Sequence, residues 1–333
     1  MAQPYDRLPR KIIVGTSIFP HYGPWEGLGQ RLDKLGALID EQDAAARSRY
    51  GRAADLMVFT EHAVTGGSGR TAAEKAHPWQ GEIGDFFAAK AREVGSNLCL
   101  PLHLEEDRAG GIFTNSAVFL DRQGQQAGIY RKLFPVNGYA SIGGNPELLE
   151  SGITPGLTAN VIELDFGRVG SQICWDMMYD DGWRELAEAG AELVVWSTAS
   201  PRVTAPSAKA ARHSYWVVSA TPRCNAGIYE PVTGEISARI RPPQMTLVHE
   251  IDLSWHYSHW LPTLRDGAAL TERFGEAVGH SYRAEEDGGL FWSNDPRRTI
   301  GEMFREIGID PSYNRVAHSR QLRQQVLKNR NQD

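Results

Sequence analysis

Short apolar runs alternate with longer amphipathic segments along most of the chain. The runs KIIVGTSIF, ADLMVFTEH and NLCLPLHLEE are too short for buried helices, so they predict buried strands. Between them, leucines of segment 28–51 recur at helical spacing and Gly51 supplies a stop. Segment 83–96 has the same helical character and ends near Gly95. The first third of the chain therefore predicts strands that alternate with helices.

The middle of the chain adds hairpin signals to this alternation. NSAVFLDRQGQQAGIYRK has two apolar runs around Gly124, NVIELDFGRVGSQIC pairs two strands, and GIYEPVTGEISAR contains a Thr-Gly turn. Helices are predicted over DDGWRELAEAG and residues 207–216, and strands over AELVVWSTAS and VVSATPRC. This mixture predicts an α/β domain with mixed sheets rather than a purely parallel one.

The apolar periodicity thins after residue 252, where charged and glycine-rich stretches such as AEEDGGLFWSNDPRR take over. The pattern predicts one domain over residues 10–252 and a C-terminal extension over residues 253–333. Four large aromatic residues recur in the extension: Trp255, Trp260, Phe274 and Trp292. They indicate that the extension docks on its own domain or on a neighbouring subunit.

Composition narrows the classes of protein that fit. The 41% of apolar residues, with charges of both signs interspersed, are enough for a large core and exclude a disordered chain. The net charge of −6 and the scattered cations make a nucleic-acid partner unexpected. No run approaches the ~20 apolar residues of a membrane span, and MAQPYDRLPRK lacks the features of a secretory signal. A cytoplasmic protein is expected.

The three cysteines are far apart and form no C-x-x-C motif. This spacing argues against a disulfide framework and against a zinc site. The histidines also lack the H-x-x-x-H and H-E-x-x-H spacings of metal ligands, so His62, His103 and His213 are interpreted as structural. Free thiols and no bound metal are expected.

Three apolar runs end on a reactive side chain: DLMVFTE at Glu61, AGIYRK at Lys132 and VGSQIC at Cys174. Each has an ordinary interpretation by itself, as a turn cap, a surface cation and a small buried residue. Residues just past the carboxyl ends of strands often gather in the sites of α/β proteins, so the three are expected to converge. Together they would provide a nucleophile, a base and a cation for developing negative charge.

The segments around these residues carry a family resemblance. LMVFTEH, YRKLFP and SQICWD occur in this order, with ELLESGITPG and GAELVVWSTASP between and after them. The chain resembles the nitrilase superfamily of carbon–nitrogen hydrolases over about residues 10–252. The resemblance implies a four-layer αββα sandwich, catalysis without a metal or organic cofactor, and a homo-oligomer formed through helices near the cysteine.

The resemblance also implies roles for individual residues. Glu61 would be the general base, Lys132 the stabiliser of the tetrahedral intermediate, Cys174 the nucleophile and Glu150 a second acidic residue. Glu147 competes for that last role, because the segment around it is one residue shorter than the family pattern. Two further departures are Thr60 where the family usually has proline, and a poorly matched helix at AARHSYWVV.

Substrate contacts are predicted for Trp175, Tyr139, Trp196 and Arg202. Trp175 follows the nucleophile, and its backbone N–H would form an oxyanion hole together with Lys132. The other three are expected on loops that face the same pocket mouth. The prediction is an aromatic, partly apolar pocket in which Arg202 can bind a carboxylate or carbamoyl group, and the alternative is that the aromatics pack the core and Arg202 is solvated.

The leading functional hypothesis is hydrolysis of a small-molecule amide or N-carbamoyl compound. Nitriles are the less favoured substrates, because nitrile-cleaving members often have C-W-E where this chain has Asp176 as third residue. A second hypothesis pairs Cys174 with His213 in a papain-like dyad. A third is a catalytically silent subunit that uses the same fold for binding or assembly.

Overall fold

The computed structural model of the chain describes residues 3–67, 71–137, 145 and 147–330. Two compact units are present. The larger unit runs from Ile12 to Ile251, and the smaller one combines the segment up to Lys11 with the segment from Asp252 onward. The docking of residues 253–333 on their own domain or on a neighbouring subunit stays a prediction.

In the described residues, the larger unit and its borders contain twelve strands and five α-helices. The strands are β1 (Lys11–Ser17), β2 (Leu56–Val58), β3 (Asn97–Asp107), β4 (Ile112–Leu120), β5 (Gln126–Arg131), β6 (Ile162–Leu164), β7 (Gly167–Ile173), β8 (Leu193–Ser197), β9 (Trp216–Ala220), β10 (Ala226–Tyr229), β11 (Ile236–Ile240) and β12 (Thr246–Asp252). The helices are α1 (Leu28–Tyr50), α2 (Ala72–Lys75), α3 (Glu82–Val94), α4 (Asp181–Glu188) and α5 (Thr204–His213).

These strands form two six-stranded sheets with related topologies. One has the order β12-β1-β2-β3-β4-β5 and the other the order β11-β10-β9-β8-β7-β6. In each sheet three neighbouring strands pair in parallel, β1 to β3 in one and β7 to β9 in the other. Antiparallel hairpins extend the sheets beyond them. The predicted mixed-sheet α/β fold is confirmed.

The two sheets pack face to face and the helices cover their outer faces. Contacts of β2 with β9 and of β4 with β7 join the sheets, and the Thr60 hydroxyl donates to the Thr198 carbonyl across the interface at 2.8 Å. Apolar residues of α1 and α3 pack with those of the first sheet in one core. Helices α4 and α5 lie on the second sheet. The larger unit is the predicted four-layer αββα sandwich.

Glycine stops end the first two long helices as predicted. Gly51 after α1 and Gly95 after α3 both have a φ of 72°, a left-handed conformation that costs glycine little. The predicted helix over residues 207–216 is displaced, because α5 spans Thr204–His213. Ser214 ends it in the left-handed conformation, and the following apolar residues are already paired in β9. Tertiary strand pairing overrides the helical spacing there.

The smaller unit contains more regular structure than its sequence pattern predicted. Its elements are β13 (Trp255–His259), α6 (Ala268–Phe274), β14 (Val278–Arg283), β15 (Gly288–Ser293), α7 (Ile300–Glu306) and α8 (Arg315–Arg330). The strands form a sheet of order β13-β15-β14, and Phe291, Met303 and Phe304 belong to its core. Helix α8 buries none of its residues. Among all described helices, none is long and apolar enough to cross a membrane.

Candidate active site

The three strand ends singled out in the sequence meet at one point of the larger unit. Lys132 follows β5 and Cys174 follows β7 without a gap, while Glu61 lies in the turn just after β2. The Lys132 ammonium donates to the Glu61 carboxylate at 2.9 Å, and the Cys174 thiol lies near enough to both groups to influence their pKa values. A carboxylate and an ammonium are therefore in contact, and a thiol lies beside them.

Lys132 is buried between two carboxylates. Its ammonium pairs with Glu61 and with Glu150, and only 1% of its side chain is exposed. Burial by itself would lower the pKa of Lys132, but the charges of Glu61 and Glu150 outweigh it, so the pKa is raised well above its usual value. The lysine therefore stays protonated and carries a permanent positive charge at the site.

Asn115, in β4, ties the two carboxylates together. Its amide nitrogen donates to Glu61 and to Glu150, at 2.9 Å in each case. The sequence analysis did not single out this residue. The available signal was a polar amide inside the apolar run NSAVFL, on the strand that pairs with the one leading to Lys132.

A buried arginine braces the turn that carries Glu61. The Arg31 guanidinium donates to the carbonyls of Ala63 and Gly66, at 2.8 and 2.9 Å. The other Glu61 oxygen accepts the backbone N–H of Ala199 at 3.1 Å, just past β8. Burial would raise the pKa of Glu61, but Lys132 and the hydrogen bonds lower it below its usual value. Glu61 is an ionised base with a fixed orientation.

Cys174 begins a short 3₁₀ turn, Cys174–Met178, directly after β7. Its φ of 43° is unusual for a residue with a side chain and marks a sharp strand-to-turn elbow. Burial and the charge of Glu61 raise the pKa of Cys174 to about 12, although Lys132 acts in the opposite direction. The sulfur is therefore a protonated thiol beside an ionised carboxylate in the resting site.

The Asp176 side chain stabilises this strand-to-turn elbow by hydrogen bonds. Its carboxylate accepts hydrogen bonds from the Tyr130 hydroxyl at 2.7 Å and from the backbone N–H groups of Ile173 and Phe134 at 2.8 Å. The side chain is fully buried, and burial raises its pKa to about 6. Asp176 thus connects the ends of the strands that deliver Lys132 and Cys174.

Two glutamates competed for the role of second acidic residue. The structure places Glu150 at the site, where it also accepts the backbone N–H of Val136 at 3.1 Å. Glu147 is exposed, and its backbone N–H donates to Asn145. Glu150 has a φ of 42°, a left-handed backbone conformation. Cys174 and His62, the residue after Glu61, adopt the same conformation. Strain of this kind often clusters at functional sites.

The predicted substrate contacts fall in different environments. Trp175 is half-buried in the turn that begins at Cys174, and Arg202 is exposed with its guanidinium 3.5 Å from the Met178 sulfur. Tyr139 lies outside the described residues. The expectation that Trp196 lies on a loop is wrong: it lies inside β8, paired on both sides, and its indole N–H donates to the Cys174 carbonyl at 3.1 Å.

One group in the described part of the chain has the composition of a metal site. Ligand atoms of Glu61, His62 and Glu150 lie within 4.8 Å of one another. The Lys132 ammonium already pairs with both of these carboxylates. A divalent ion would have to displace or repel that buried charge, so the donor set fits the lysine better than a metal.

Comparisons with known proteins agree with this fold. The chain matches the model of the carbon-nitrogen hydrolase family over residues 18–301. A search of curated proteins finds no significant match. Because the family model spans most of the chain, membership does not depend on a single motif.

Three solved structures are similar in fold at low sequence identity. A carbon-nitrogen hydrolase from Helicobacter pylori G27 is 19% identical, with a TM-score of 0.59 over 73% of this chain and 90% of that one. The C. elegans NitFhit protein is 17% identical, with a TM-score of 0.63 over 74% of this chain and 62% of that one. Saccharomyces cerevisiae Nit3, a member of branch 10 of the nitrilase superfamily, is 16% identical, with a TM-score of 0.57 over 81% and 96% of the two chains. The chain belongs to the carbon-nitrogen hydrolase family.

Proposed function

We propose that the protein hydrolyses a non-peptide carbon–nitrogen bond of a small amide or N-carbamoyl substrate through a thioester on Cys174. The observation that carries the proposal is the ion pair of the Glu61 carboxylate with the Lys132 ammonium, with the Cys174 thiol close enough to interact electrostatically with both. A nucleophile, a base and a fixed cation within hydrogen-bond reach are what acyl transfer requires. No cofactor is part of the proposal.

In the first step the Cys174 sulfur attacks the substrate carbonyl carbon while its proton passes to Glu61. The high pKa of the thiol and the low pKa of Glu61 disfavour a free thiolate, so proton transfer and attack occur together. The carbonyl electron pair moves to oxygen, which is bound by Lys132 and the backbone N–H of Trp175. Two of the three ammonium protons point at carboxylates, which leaves one for the oxyanion.

In the second step Glu61 gives its proton to the substrate nitrogen, the carbon–nitrogen bond breaks, and ammonia or an amine leaves. A water molecule then transfers a proton to Glu61 and attacks the thioester carbonyl. When the carbon–sulfur bond breaks, the proton returns to sulfur and the acid product leaves. Glu61 therefore acts alternately as base and acid, while Glu150 keeps Lys132 in position.

The substrate preference rests on Arg202 rather than on Asp176. Because the Asp176 carboxylate is turned into the elbow and accepts three hydrogen bonds there, it does not distinguish amides from nitriles. Exposed Arg202 beside Met178 is available to a substrate carboxylate or carbamoyl group. Nitrile hydrolysis with the same three residues is the alternative activity.

The papain-like alternative has little support from the contacts of His213. Its imidazole pairs with Asp180 at 2.9 Å and stacks on Tyr215, whereas the ionisable group whose charge acts most strongly on Cys174 is Glu61. Replacement of His213 by alanine separates the two mechanisms. The dyad requires near-total loss of turnover, and the proposed mechanism requires at most a modest effect.

The direct test is Cys174→Ser assayed for ammonia release over a panel of amides, N-carbamoyl compounds and nitriles. Serine is close in size but far less acidic, so the variant should fold and lose turnover. Exposed Cys224 offers a matched control, since Cys224→Ser makes the same change at an exposed thiol. Full turnover by Cys174→Ser would refute the proposal. An inert wild type with an unreactive Cys174 would favour the silent subunit.

We further propose a cytoplasmic homo-oligomer, a dimer or larger, without a nucleic-acid or membrane partner. The support is the net charge of −6 and the apolar side chains exposed on α8, among them Leu322 and Val326. Light scattering of the purified chain tests the assembly. A monomer at micromolar concentration would contradict it.

A further inference from the structure

We propose that His62 is a positioning residue for the general base: its neutral imidazole, protonated on Nε2, holds the Glu61 carboxylate ionised and aligned beside Cys174. The inference rests on the proposed function, because it assigns a base role to Glu61. It overturns the purely structural interpretation of His62 that its sequence spacing suggested.

The His62 ring edge faces the carboxylates. Its Nε2 lies 3.7 Å from the Glu61 Oε1 atom, and a ring nitrogen lies within 4.8 Å of a Glu150 oxygen. This nitrogen is buried and has no hydrogen-bond partner among the described residues. Burying a polar nitrogen without a hydrogen-bond partner is costly. The orientation of this nitrogen toward two carboxylates therefore indicates an electrostatic role rather than simple packing.

The ring plane and the backbone are both fixed. His62 stacks on His103 with ring centroids 3.9 Å apart, and the His103 nitrogen lies 3.3 Å from the Thr65 hydroxyl. His103 is itself paired in register with Asn115, the residue that bridges the two carboxylates. The His62 φ of 59° is an unfavourable conformation for a non-glycine residue, and the surrounding contacts maintain it.

The charges around His62 keep it neutral. Burial lowers its pKa well below the usual value, and Lys132, His21 and Lys75 act in the same direction. Its anionic neighbour in ion-pair range is Glu61, which is itself neutralised by Lys132. A neutral ring with hydrogen on Nε2 presents the positive end of its dipole to Glu61 without adding a net charge. Loss of this dipole raises the pKa of Glu61.

The test uses two variants that remove the nitrogen in different ways. His62→Asn tolerates the left-handed backbone but is too short to reach Glu61, and His62→Phe keeps the stack on His103. The readout is the rate of Cys174 alkylation by iodoacetamide as a function of pH, followed by mass spectrometry. We expect the acidic midpoint of this profile to rise by about half a pH unit or more in each variant that folds.

Turnover provides the second readout. With an amide that the wild type hydrolyses, kcat should fall about tenfold while KM changes less than about twofold, because the substrate itself is not contacted. His213→Phe is the control, and its midpoint should equal that of the wild type. An unchanged midpoint in any folded His62 variant would overturn the proposal.

The two proposals fail separately. Alkylation requires no substrate, so a raised midpoint in a protein that hydrolyses nothing would refute the proposed function and support the role of His62. Hydrolysis by the wild type with an unmoved midpoint in the variants would refute the role of His62 alone.

Discussion

The proposed catalytic side chains form a small set of buried charges that depend on one another. Glu61 and Glu150 are two carboxylates for one ammonium, Lys132, and Asn115 supplies the extra hydrogen bonds that the second carboxylate needs. Removing one member of such a group leaves another buried charge without a partner, which commonly costs ~3–5 kcal/mol. These residues therefore affect folding and chemistry together.

Substitution of Asn115 tests this dependence. Asn115→Ala removes two hydrogen bonds to carboxylates, each worth ~1.5–3 kcal/mol, and should lower kcat about tenfold or more. Asn115→Asp should be worse, because it places a third carboxylate beside the same ammonium. The measurements are kcat with a hydrolysed amide and the free energy of unfolding in urea.

The comparison of the two Asn115 variants is the sensitive part. The side chains of aspartate and asparagine are nearly the same size, so a packing role predicts that Asn115→Asp is milder than Asn115→Ala. If Asn115→Asp were as active as Asn115→Ala or more active, the electrostatic account would be contradicted.

The backbone at the strand ends and turns that carry these residues has little conformational freedom. Gly156 illustrates the constraint, because its N–H donates to the Lys132 carbonyl at 2.8 Å at the end of β5. A Cβ at this position would collide with the carbonyl group of Arg131, the last residue of that strand. Gly156, the last residue of the ELLESGITPG segment, thus allows a close approach of two backbones where Lys132 leaves the sheet.

Gly156→Ala should displace the end of β5 and move the Lys132 ammonium. We expect a loss of ~1–3 kcal/mol in unfolding free energy and a fall in kcat that exceeds the change in KM. Gly29→Ala in α1 is the matched control, since a Cβ there meets open space and should stabilise the helix by up to ~1 kcal/mol. A Gly156→Ala variant as stable and active as the wild type would show that the segment moves without cost.

Within the smaller unit, α8 contributes little to the core. None of its residues is buried, and its exposed apolar residues include Val316 and Leu327. A helix of this kind gains its stability from a partner or from solvent-exposed contacts rather than from packing on its own unit.

Removal of residues 315–333 should therefore leave the folded chain intact. We expect the free energy of unfolding to change by less than ~1 kcal/mol at low protein concentration, because no buried surface is lost. Chemical unfolding at several concentrations, with light scattering, distinguishes this outcome from a role in subunit contacts. A large loss of stability in the monomer would contradict the exposed state of α8.

Local sequence patterns were sufficient for much of the architecture. Strand and helix periodicity, together with stops at Gly51 and Gly95, are signals contained within ten to twenty neighbouring residues, so they predicted the elements and the mixed sheets. The same locality explains why Glu61, Lys132 and Cys174 could be recognised at strand ends.

Other features arise only when distant segments meet. Asn115 bridges two carboxylates because β4 lies in the sheet between β2, which leads to Glu61, and β5, which leads to Lys132. Trp196 is buried because β8 is paired on both sides. The position of His62 beside Glu61 depends on stacking against another strand. Periodicity along the chain encodes which face of an element is buried, whereas contacts across strands depend on register and on the packing of two sheets, which no short stretch of sequence contains.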